Sequence, residues 1–332
     1  MSADPTRSRA AVAVAKGEIR CDETSSVEGV GQGEVLVRTR AASICGSDLH
    51  MVHTGWAMHA FPAMPGHPGH EAAGEVVESK SDQFKPGDLV LTTPHIWDSR
   101  CFADFQVVDD RHILKLGPGV DFDSVTLAQQ FGTVIYAAKR LPKSLKGKSC
   151  VVVGQGSAGL FWDWVLKRKG ASRVISVEPL SWRRLLGLEL GADDAVDVIG
   201  KEATTAVKDL TDGKGADLVI EAVGSTTTLS QVFHMVRDEG QVVLFGLPES
   251  DDPVPFDYSQ MFKSRADVFT VLGSQDEPGL SSYAEAVKLI NSGAIDVSPL
   301  ISHRINISEI DRAFDIATNR TDNAVKIGIT FD

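Results

Sequence analysis

The segment at 150–159 constrains the fold of this 332-residue chain more than any other. It reads CVVVGQGSAG, so a short apolar run leads into the pattern Gly-x-Gly-x-x-Gly, and an apolar stretch of helical character follows. Gly154 permits a tight turn, Gly156 lets the backbone approach a pyrophosphate, and Gly159 lets the helix pack closely on the strand. Ser157-Ala158 open that helix, where free N–H groups and the helix dipole favour phosphate. The segment therefore predicts a dinucleotide site on a strand, a turn and a helix.

An acidic residue follows at the spacing that such a site requires. Glu178 ends the next predicted strand, 19 residues after the last glycine, where a carboxylate accepts hydrogen bonds from the adenosine ribose. A carboxylate there also repels a 2′-phosphate, which favours NAD over NADP. Arg183 and Arg184 lie just beyond it and weaken that preference.

Strands and helices are expected to alternate from residue 132 to residue 271. Short apolar runs that predict strands in this part of the chain are Ser149–Val153, Arg173–Val177, Asp217–Ala222 and Gly240–Gly246. This alternation predicts a parallel, doubly wound sheet. Residues 1–131 instead contain short apolar runs separated by Gly, Pro and Asp, which predicts a mainly-β domain. We expect 272–332 to pack back on that domain, so that 132–271 is an insertion.

Composition argues against several functional classes. Lys and Arg number 33 and Asp and Glu 45, for a net charge of −12, so binding to nucleic acid or anionic membranes is not expected. No apolar stretch approaches the ~18 residues of a membrane span, and the N-terminal apolar run is too short for a signal peptide. We therefore expect a cytoplasmic protein. The four cysteines form no Cys-x-x-Cys pair, so any metal site must recruit other residue types.

Two short segments, at 43–50 and 66–74, carry residues suited to metal binding and proton transfer. Their candidate residues are Cys45, Ser47, Asp48 and His50 in the first segment and His67, His70 and Glu71 in the second. A thiolate and an imidazole from separate loops suit Zn²⁺, which prefers sulfur and nitrogen ligands. Ser47 could accept a proton from a bound alcohol and His50 could carry it towards solvent. Asp48 could orient a ligand histidine.

Four motifs together resemble those of a known family. They are Ile44–His50, Gly69–Gly74, Pro86–Asp88 and Gly154–Gly159. In this order they resemble the zinc-dependent medium-chain alcohol dehydrogenases over nearly the whole chain, and among these the sorbitol, threonine and glucose dehydrogenases. The resemblance implies an α/β protein with a GroES-like, mainly-β catalytic domain and a Rossmann coenzyme domain. It also implies a homodimer or homotetramer formed through the edges of the nucleotide-domain sheets.

The resemblance implies a role for each candidate residue. The matching positions are Cys45 and His70 as zinc ligands, Ser47 and His50 as the proton relay, Asp48 as the acid behind the ligand histidine, Glu71 as the acid beside the zinc, and Glu178 and Arg183 as adenosine-ribose contacts. The implied reaction is hydride transfer between NAD(H) and a polyol, sugar or secondary alcohol or the matching carbonyl compound, with zinc as Lewis acid.

The third zinc ligand departs from the family pattern. A Cys, Glu or Asp is usual just before the first coenzyme-domain helix, whereas Gln129 occupies that position here. With Cys45 and a neutral His70, an amide would leave the site at net +1, acidifying a bound alcohol but holding the metal less tightly. Glu71 could move in to restore neutrality. His67 is a further candidate, which we rank below His70 because only His70 precedes Glu-x-x-Gly. A metal-free site is the alternative.

The lobe that holds a structural zinc in this family is missing from the sequence. It needs four closely spaced cysteines, and the segment 92–104 contains only Cys101. We therefore expect one catalytic zinc and no structural zinc. Trp56, His95 and Trp97 lie where the family places the wall of the substrate cleft, although each is equally consistent with packing.

Two other functions stay open at this point. One is a zinc-free reductase of the same superfamily acting on enones or quinones, which would not need Cys45, Ser47, His50 and His70 together. The other is a non-catalytic nucleotide-binding protein, whose only support is the amide at Gln129.

Overall fold

The computed structural model describes residues 8–24, 29–248 and 252–331. The chain divides into two compact units. The β-rich unit comprises Met1–Thr133 and Ser274–Asp332, and the α/β unit comprises Val134–Gly273. The limits predicted from the sequence, after residues 131 and 271, lie two residues before these divisions.

The described strands and helices are as follows. The strands are β1 (Ser8–Ala15), β2 (Glu18–Thr24), β3 (Glu34–Ser43), β4 (Ala72–Ser79), β5 (Leu89–Thr92), β6 (Phe105–Asp109), β7 (Ile113–Lys115), β8 (Ser149–Val153), β9 (Arg173–Val177), β10 (Asp194–Val196), β11 (Ala216–Glu221), β12 (Val236–Leu244), β13 (Asp267–Thr270), β14 (Ile301–Asn306) and β15 (Lys326–Thr330). The helices are α1 (Gly46–Thr54), α2 (Phe122–Thr126), α3 (Ala128–Ala138), α4 (Ser157–Arg168), α5 (Ser181–Leu190), α6 (Gly200–Leu210), α7 (Thr226–Met235), α8 (Tyr258–Ser264), α9 (Ser281–Asn291) and α10 (Ile310–Asn319).

The β-rich unit is organised around β3. This strand pairs antiparallel with β4, β6 and β15, within a sheet whose strand order is β14-β15-β3-β4-β5-β7. Branched apolar side chains fill one part of its core, namely Val35, Val37, Val76, Val90, Val108 and Ile113. Gly74 on β4 approaches β3 so closely that a Cβ there would lie 2.1 Å from the carbonyl oxygen of Arg38. The final glycine of Glu-x-x-Gly is therefore required by strand packing.

The α/β unit contains a six-stranded sheet in the order β10-β9-β8-β11-β12-β13. All five strand pairs are parallel. With β8 as the first strand, this is the order 3-2-1-4-5-6 of a Rossmann domain. Its β-strands are short and apolar because both faces of such a sheet are covered by helices. The predicted fold class, a GroES-like domain with a doubly wound coenzyme domain, is confirmed.

No helix within residues 8–24, 29–248 and 252–331 is both long enough and apolar enough to cross a bilayer.

Candidate metal and coenzyme sites

Three strand ends meet where the metal-ligand candidates lie. The backbone N–H of Ser43, at the end of β3, donates to the carbonyl oxygen of Glu71 at 3.0 Å. The N–H of Ile44 donates to the carbonyl oxygen of Ile327 on β15 at 2.9 Å. The pairing of β3 with β4 and β15 therefore brings together the segments that follow β3, precede β4 and begin β15. Lys326 is the first residue of β15.

The cap of α1 fixes the first of these segments. Cys45 is the residue before the helix, in an extended conformation, and its N–H donates to Asp48 Oδ2 at 2.8 Å. The carboxylate of Asp48 is fully buried and its other oxygen, Oδ1, lies 2.8 Å from His70 Nδ1. One side chain thus holds both the backbone of Cys45 and the imidazole of His70 in place.

Ligand atoms of Cys45, His70 and Glu71 all lie within 4.8 Å of one another. Within the described part of the chain, no other group of three or more Cys, His, Asp and Glu side chains is arranged in this way. His70 and Glu71 are buried and Cys45 is half-buried. Sulfur, imidazole nitrogen and carboxylate oxygen are the three donor types that zinc accepts in proteins.

The hydrogen bond with Asp48 sets the chemistry of His70. An Nδ1–H donated to the carboxylate leaves the lone pair of Nε2 available to a metal ion. Burial by itself disfavours the charged imidazolium, but Asp48 and Cys45 outweigh it and hold the pKa of His70 well above its usual value. The hydroxyl oxygen of Ser47 lies 3.4 Å from Nε2, so a proton acceptor stands directly beside the proposed metal position.

A buried lysine that the sequence analysis missed completes this cluster. Lys326 Nζ lies 2.6 Å from Glu71 Oε2, and the two side chains are 1% and 0% exposed. The Ser43 hydroxyl donates to the same oxygen. Burial by itself would lower the pKa of Lys326, but Glu71 and Cys45 outweigh it and raise that pKa. A lysine within the apolar run VKIGIT was the only available signal.

The free oxygen of Glu71 and the chemistry of its neighbours fit a bound cation. Glu71 Oε1 is buried and has no hydrogen-bond partner among the described residues. A buried carboxylate oxygen without a partner is costly unless a cation or a donor satisfies it. Cys45 and His70, with ligand atoms within 4.8 Å, are the ligands with which it would share an ion.

The two glutamines at the start of α3 differ in what they contact. Gln130 Nε2 lies 3.7 Å from Cys45 Sγ. Because amide nitrogen and oxygen are assigned from their surroundings, a turned amide would present its oxygen to the same position. Gln129 is buried, and its backbone carbonyl oxygen accepts a hydrogen bond from the Thr133 hydroxyl at 3.3 Å. The ligand role of Gln129 stays a prediction, and Gln130 joins it as a candidate.

His67 has a different environment from His70. Its Nδ1 lies 2.9 Å from the carbonyl oxygen of Ser99, and burial lowers its pKa. It does not belong to the three-residue cluster found within the described residues.

Two of the three substrate candidates lie beside His50, the histidine predicted to act in the proton relay. The ring of Trp56 lies 5.6 Å from that of His50 and 5.4 Å from that of Trp97, measured between centroids. His95 contacts the ring of His112 at 4.8 Å and its Nε2 lies 3.2 Å from Asp276 Oδ1. An aromatic surface therefore adjoins His50.

The glycine-rich turn of the α/β unit has the backbone geometry that the motif predicts. Gly154 has φ +93°, in the left-handed region, and a Cβ there would lie 2.5 Å from Val223 Cγ2. A Cβ at Gly159 would lie 1.9 Å from the carbonyl oxygen of Gly154. Gly156 precedes the first helical residue, Ser157. Only glycine fits at 154 and 159, and the start of α4 is left open to a phosphate.

Glu178 lies at the end of β9 and is anchored by the backbone. Its Oε2 accepts the N–H of Gln155 at 2.8 Å and its Oε1 accepts the N–H of Leu180 at 3.0 Å. Arg184 donates to the carbonyl oxygens of Glu178 and Pro179 at 2.9 and 2.7 Å. Arg183 lies in the first turn of α5. The carboxylate is therefore fixed next to the glycine-rich turn, and its role as a ribose contact stays a prediction.

Comparison with known proteins identifies the family of this chain. The family model of the alcohol dehydrogenase GroES-like domain matches residues 31–153, and that of zinc-binding dehydrogenase matches residues 159–292. The chain belongs to the zinc-type medium-chain alcohol dehydrogenase superfamily. It is therefore an oxidoreductase.

Individual relatives cover most of the chain. L-threonine 3-dehydrogenase of Pyrococcus horikoshii is 29% identical, over 86% of this chain and 88% of the relative. Sorbitol dehydrogenase of Bacillus subtilis is 26% identical, over 97% of each chain. The crystal structure of an alcohol dehydrogenase from Thermotoga maritima is similar with a TM-score of 0.83, at 25% identity, over 98% of this chain and 100% of that one.

Proposed function

We propose that this protein is an NAD-dependent alcohol dehydrogenase with a single catalytic zinc, acting on a polyol, sugar or secondary alcohol or on the corresponding carbonyl compound. The observation that carries this proposal is the cluster of Cys45, His70 and Glu71, whose ligand atoms lie within 4.8 Å, with the Ser47 hydroxyl 3.4 Å from His70 Nε2. The relatives named threonine and sorbitol dehydrogenase support a small hydroxylated substrate.

Cys45 Sγ, His70 Nε2 and an oxygen of Glu71 or of a glutamine amide would hold the zinc. When bound, the ion supplies Lewis-acid chemistry that makes an alcohol hydroxyl far more acidic, much as zinc lowers the pKa of water from about 16 to about 7. Asp48 keeps His70 in the tautomer that presents Nε2. Lys326 neutralises the charge of Glu71, which leaves the thiolate of Cys45 as the principal negative ligand.

The chain's own residues provide the route for the proton. The Ser47 hydroxyl accepts the proton of the substrate hydroxyl and passes its own proton to His50, which lies one helical turn further along α1. His50 contacts Trp56, so its ring is held at the aromatic surface. General acid–base groups of this kind contribute about 10²–10⁴-fold to rate.

Ser47→Ala is accordingly expected to lower turnover by about 10²–10⁴-fold, because the first proton acceptor is lost. Bound zinc and the dissociation constant for NADH should stay unchanged, as measured by metal analysis and fluorescence titration. Ser292→Ala, at an exposed serine of the same unit, is the matched control. Full activity in Ser47→Ala would refute the relay.

The carboxylate of Glu178 supports NAD as the coenzyme. Both of its oxygens are fixed by backbone N–H groups, so it cannot swing away from a 2′-phosphate. The repulsion between these charges disfavours NADP. Arg184 already donates hydrogen bonds to two backbone carbonyl oxygens in the turn that precedes α5.

We also propose that the protein forms a homodimer, or a tetramer built from such dimers, through β13. This strand lies at one edge of the six-stranded sheet, and an unpaired edge is a template for strand addition. Large apolar side chains nearby are exposed, with Phe262 at 70% and Leu272 at 65%. Such a patch beside a free edge is typical of a protein–protein contact.

The double variant Phe262→Lys, Leu272→Lys is expected to shift the protein to a monomer, since like charges would repel each other across the contact of two such edges. Sedimentation equilibrium measures the molecular mass in solution. Leu185→Lys, at a leucine on α5 that is 61% exposed, is the control. A native mass that is unchanged in the double variant would rule out this interface.

Zinc analysis of the purified protein, combined with an NAD-reduction screen over polyols, sugars and simple alcohols, tests the function. About one zinc per chain and zinc-dependent NAD reduction are the expected results. Metal-free protein that reduces enones or quinones would favour the zinc-free reductase. Protein that binds NAD but turns over no substrate would favour a non-catalytic nucleotide-binding protein.

A further inference from the structure

Two buried polar side chains beneath the glycine-rich turn have no part in the proposed reaction. Gln155 lies between Gly154 and Gly156, and Asp163 lies in the middle of α4. Both are 0% exposed. Among the described residues, none makes a well-aligned hydrogen bond with either carboxyl oxygen of Asp163 or with the amide atoms of Gln155. Buried polar groups in this state call for an explanation.

The two side chains converge on Gly187 in α5. A Cβ at Gly187 would lie 2.7 Å from Gln155 Oε1 and 3.2 Å from Asp163 Oδ2. On the other side, a Cβ at Gly159 would lie 3.5 Å from Gln155 Nε2. The amide and the carboxyl group therefore occupy one small space between α4 and α5, and the glycine of α5 leaves room for them.

The surroundings of Asp163 favour its neutral form. Burial raises its pKa well above the usual value, and the Gln155 amide offsets only part of this. No lysine, arginine or histidine among the described residues contributes a compensating charge. An ionised carboxylate without a cation is far too costly to bury, so the group takes up a proton. A carboxylic acid then offers one donor and one acceptor, which an amide complements.

We propose that Asp163, as a neutral carboxylic acid, pairs with the Gln155 amide through two opposed hydrogen bonds and thereby positions the glycine-rich turn for the coenzyme pyrophosphate. The inference rests on the proposed function in one respect, because it takes the ligand of the turn to be a dinucleotide. Asp163 does not touch the coenzyme in this arrangement and acts through Gln155. It is a positioning residue.

The turn needs such an anchor because glycine flanks Gln155 on both sides. Glycine gives the backbone many accessible conformations, so Gly154 and Gly156 alone do not define the direction of the N–H groups. The backbone N–H of Gln155 donates to Glu178 Oε2 at 2.8 Å, and its side-chain oxygen lies beside Gly187, next to which Asp163 Oδ2 also lies. Gln155 therefore joins the pyrophosphate turn to the carboxylate proposed to bind ribose and to the interior of α4.

Three variants and one control test the pair. Asp163→Asn keeps one donor and one acceptor, Asp163→Ala removes the partner of the amide, and Gly187→Ala displaces the amide from α5. Val165→Ala removes buried apolar volume from the same helix. Dissociation constants for ADP-ribose, which has the pyrophosphate, and for adenosine, which lacks it, are measured by calorimetry, together with thermal unfolding.

Asp163→Asn is expected to bind ADP-ribose within about twofold of the parent protein, whereas Asp163→Ala and Gly187→Ala bind it about tenfold more weakly, the effect of one or two lost hydrogen bonds. Adenosine affinity stays within about twofold throughout, because it does not use the turn. Val165→Ala lowers the unfolding temperature and leaves both affinities unchanged. The infrared carbonyl band of a protonated carboxyl group is expected at neutral pH and is lost in Asp163→Asn.

Several results would overturn the proposal. The first is equal weakening of ADP-ribose binding in Asp163→Asn and Asp163→Ala, and the second is an unchanged affinity of Asp163→Ala for ADP-ribose. The others are a parallel loss of adenosine binding and the absence of the protonated carboxyl band.

Failure of the proposed function gives a different pattern. Parent protein that binds no ADP-ribose at all would still show the carboxyl band that Asp163→Asn removes.

Discussion

Replacing Cys45 with serine is expected to remove the zinc and to lower turnover by about 10³-fold or more, because a Lewis-acid ion contributes several kcal/mol of transition-state stabilisation. A hydroxyl is a much poorer zinc ligand than a thiolate. The remaining ligands would be His70 and Glu71, and Glu71 already pairs with Lys326 at 2.6 Å. Metal content after dialysis against a chelator and the rate of NAD reduction are the two measurements.

Cys21→Ser is the control for that experiment, since Cys21 is also half-buried but lies outside the cluster. It should retain both zinc and activity. If Cys45→Ser kept one zinc per chain with normal turnover, the proposed centre would be wrong. The same assay applied to Gln129→Ala and Gln130→Ala would show which amide assists the three other ligands.

Removing the charge of Lys326 is expected to have the largest effect on stability. Lys326→Met leaves the fully buried carboxylate of Glu71 without its cation, and breaking a buried ion pair on one side costs about 3–5 kcal/mol. The free energy of unfolding of the metal-free protein, measured in urea, tests this. Adding zinc should restore more stability to Lys326→Met than to the parent protein, because the metal replaces the missing positive charge.

The double variant Glu71→Leu, Lys326→Met provides the control for the pair. Both charges are then absent, so the loss should be much smaller than the sum of the losses in Glu71→Leu and Lys326→Met. Additive losses would show that the two side chains do not stabilise each other. The control Lys115→Met, at a lysine that is 56% exposed, should change stability by less than about 1 kcal/mol.

Much of the coenzyme unit could be predicted from the sequence because its determinants are local. The apolar run, the glycines and the helix start at Ser157 lie within ten residues, and the conformation of each follows from its immediate neighbours. Glu178 could be predicted because one strand and one helix of ordinary length separate it from Gly159. In the β-rich unit, the nearness of Cys45 and His70 was implied by the family resemblance, not by spacing.

The buried partners could not be predicted in the same way. Lys326 meets Glu71 only because β15 pairs with β3, across more than half of the chain. Gln130 lies near Cys45 because of the direction in which α3 begins. The family pattern in the sequence carries no information about that direction and pointed to Gln129. Asp163 and Gln155 share a space that exists only because α5 presents Gly187 to α4.

The sequence by itself determined which chemical groups the chain carries: a glycine-rich turn suited to phosphate, an acid at the spacing of a ribose contact, a thiol and an imidazole. Tertiary structure alone decided which charges and amides surround these groups. The physical reason is that backbone conformation depends on neighbours along the chain, whereas a buried charge is stable only beside a partner that packing brings from elsewhere.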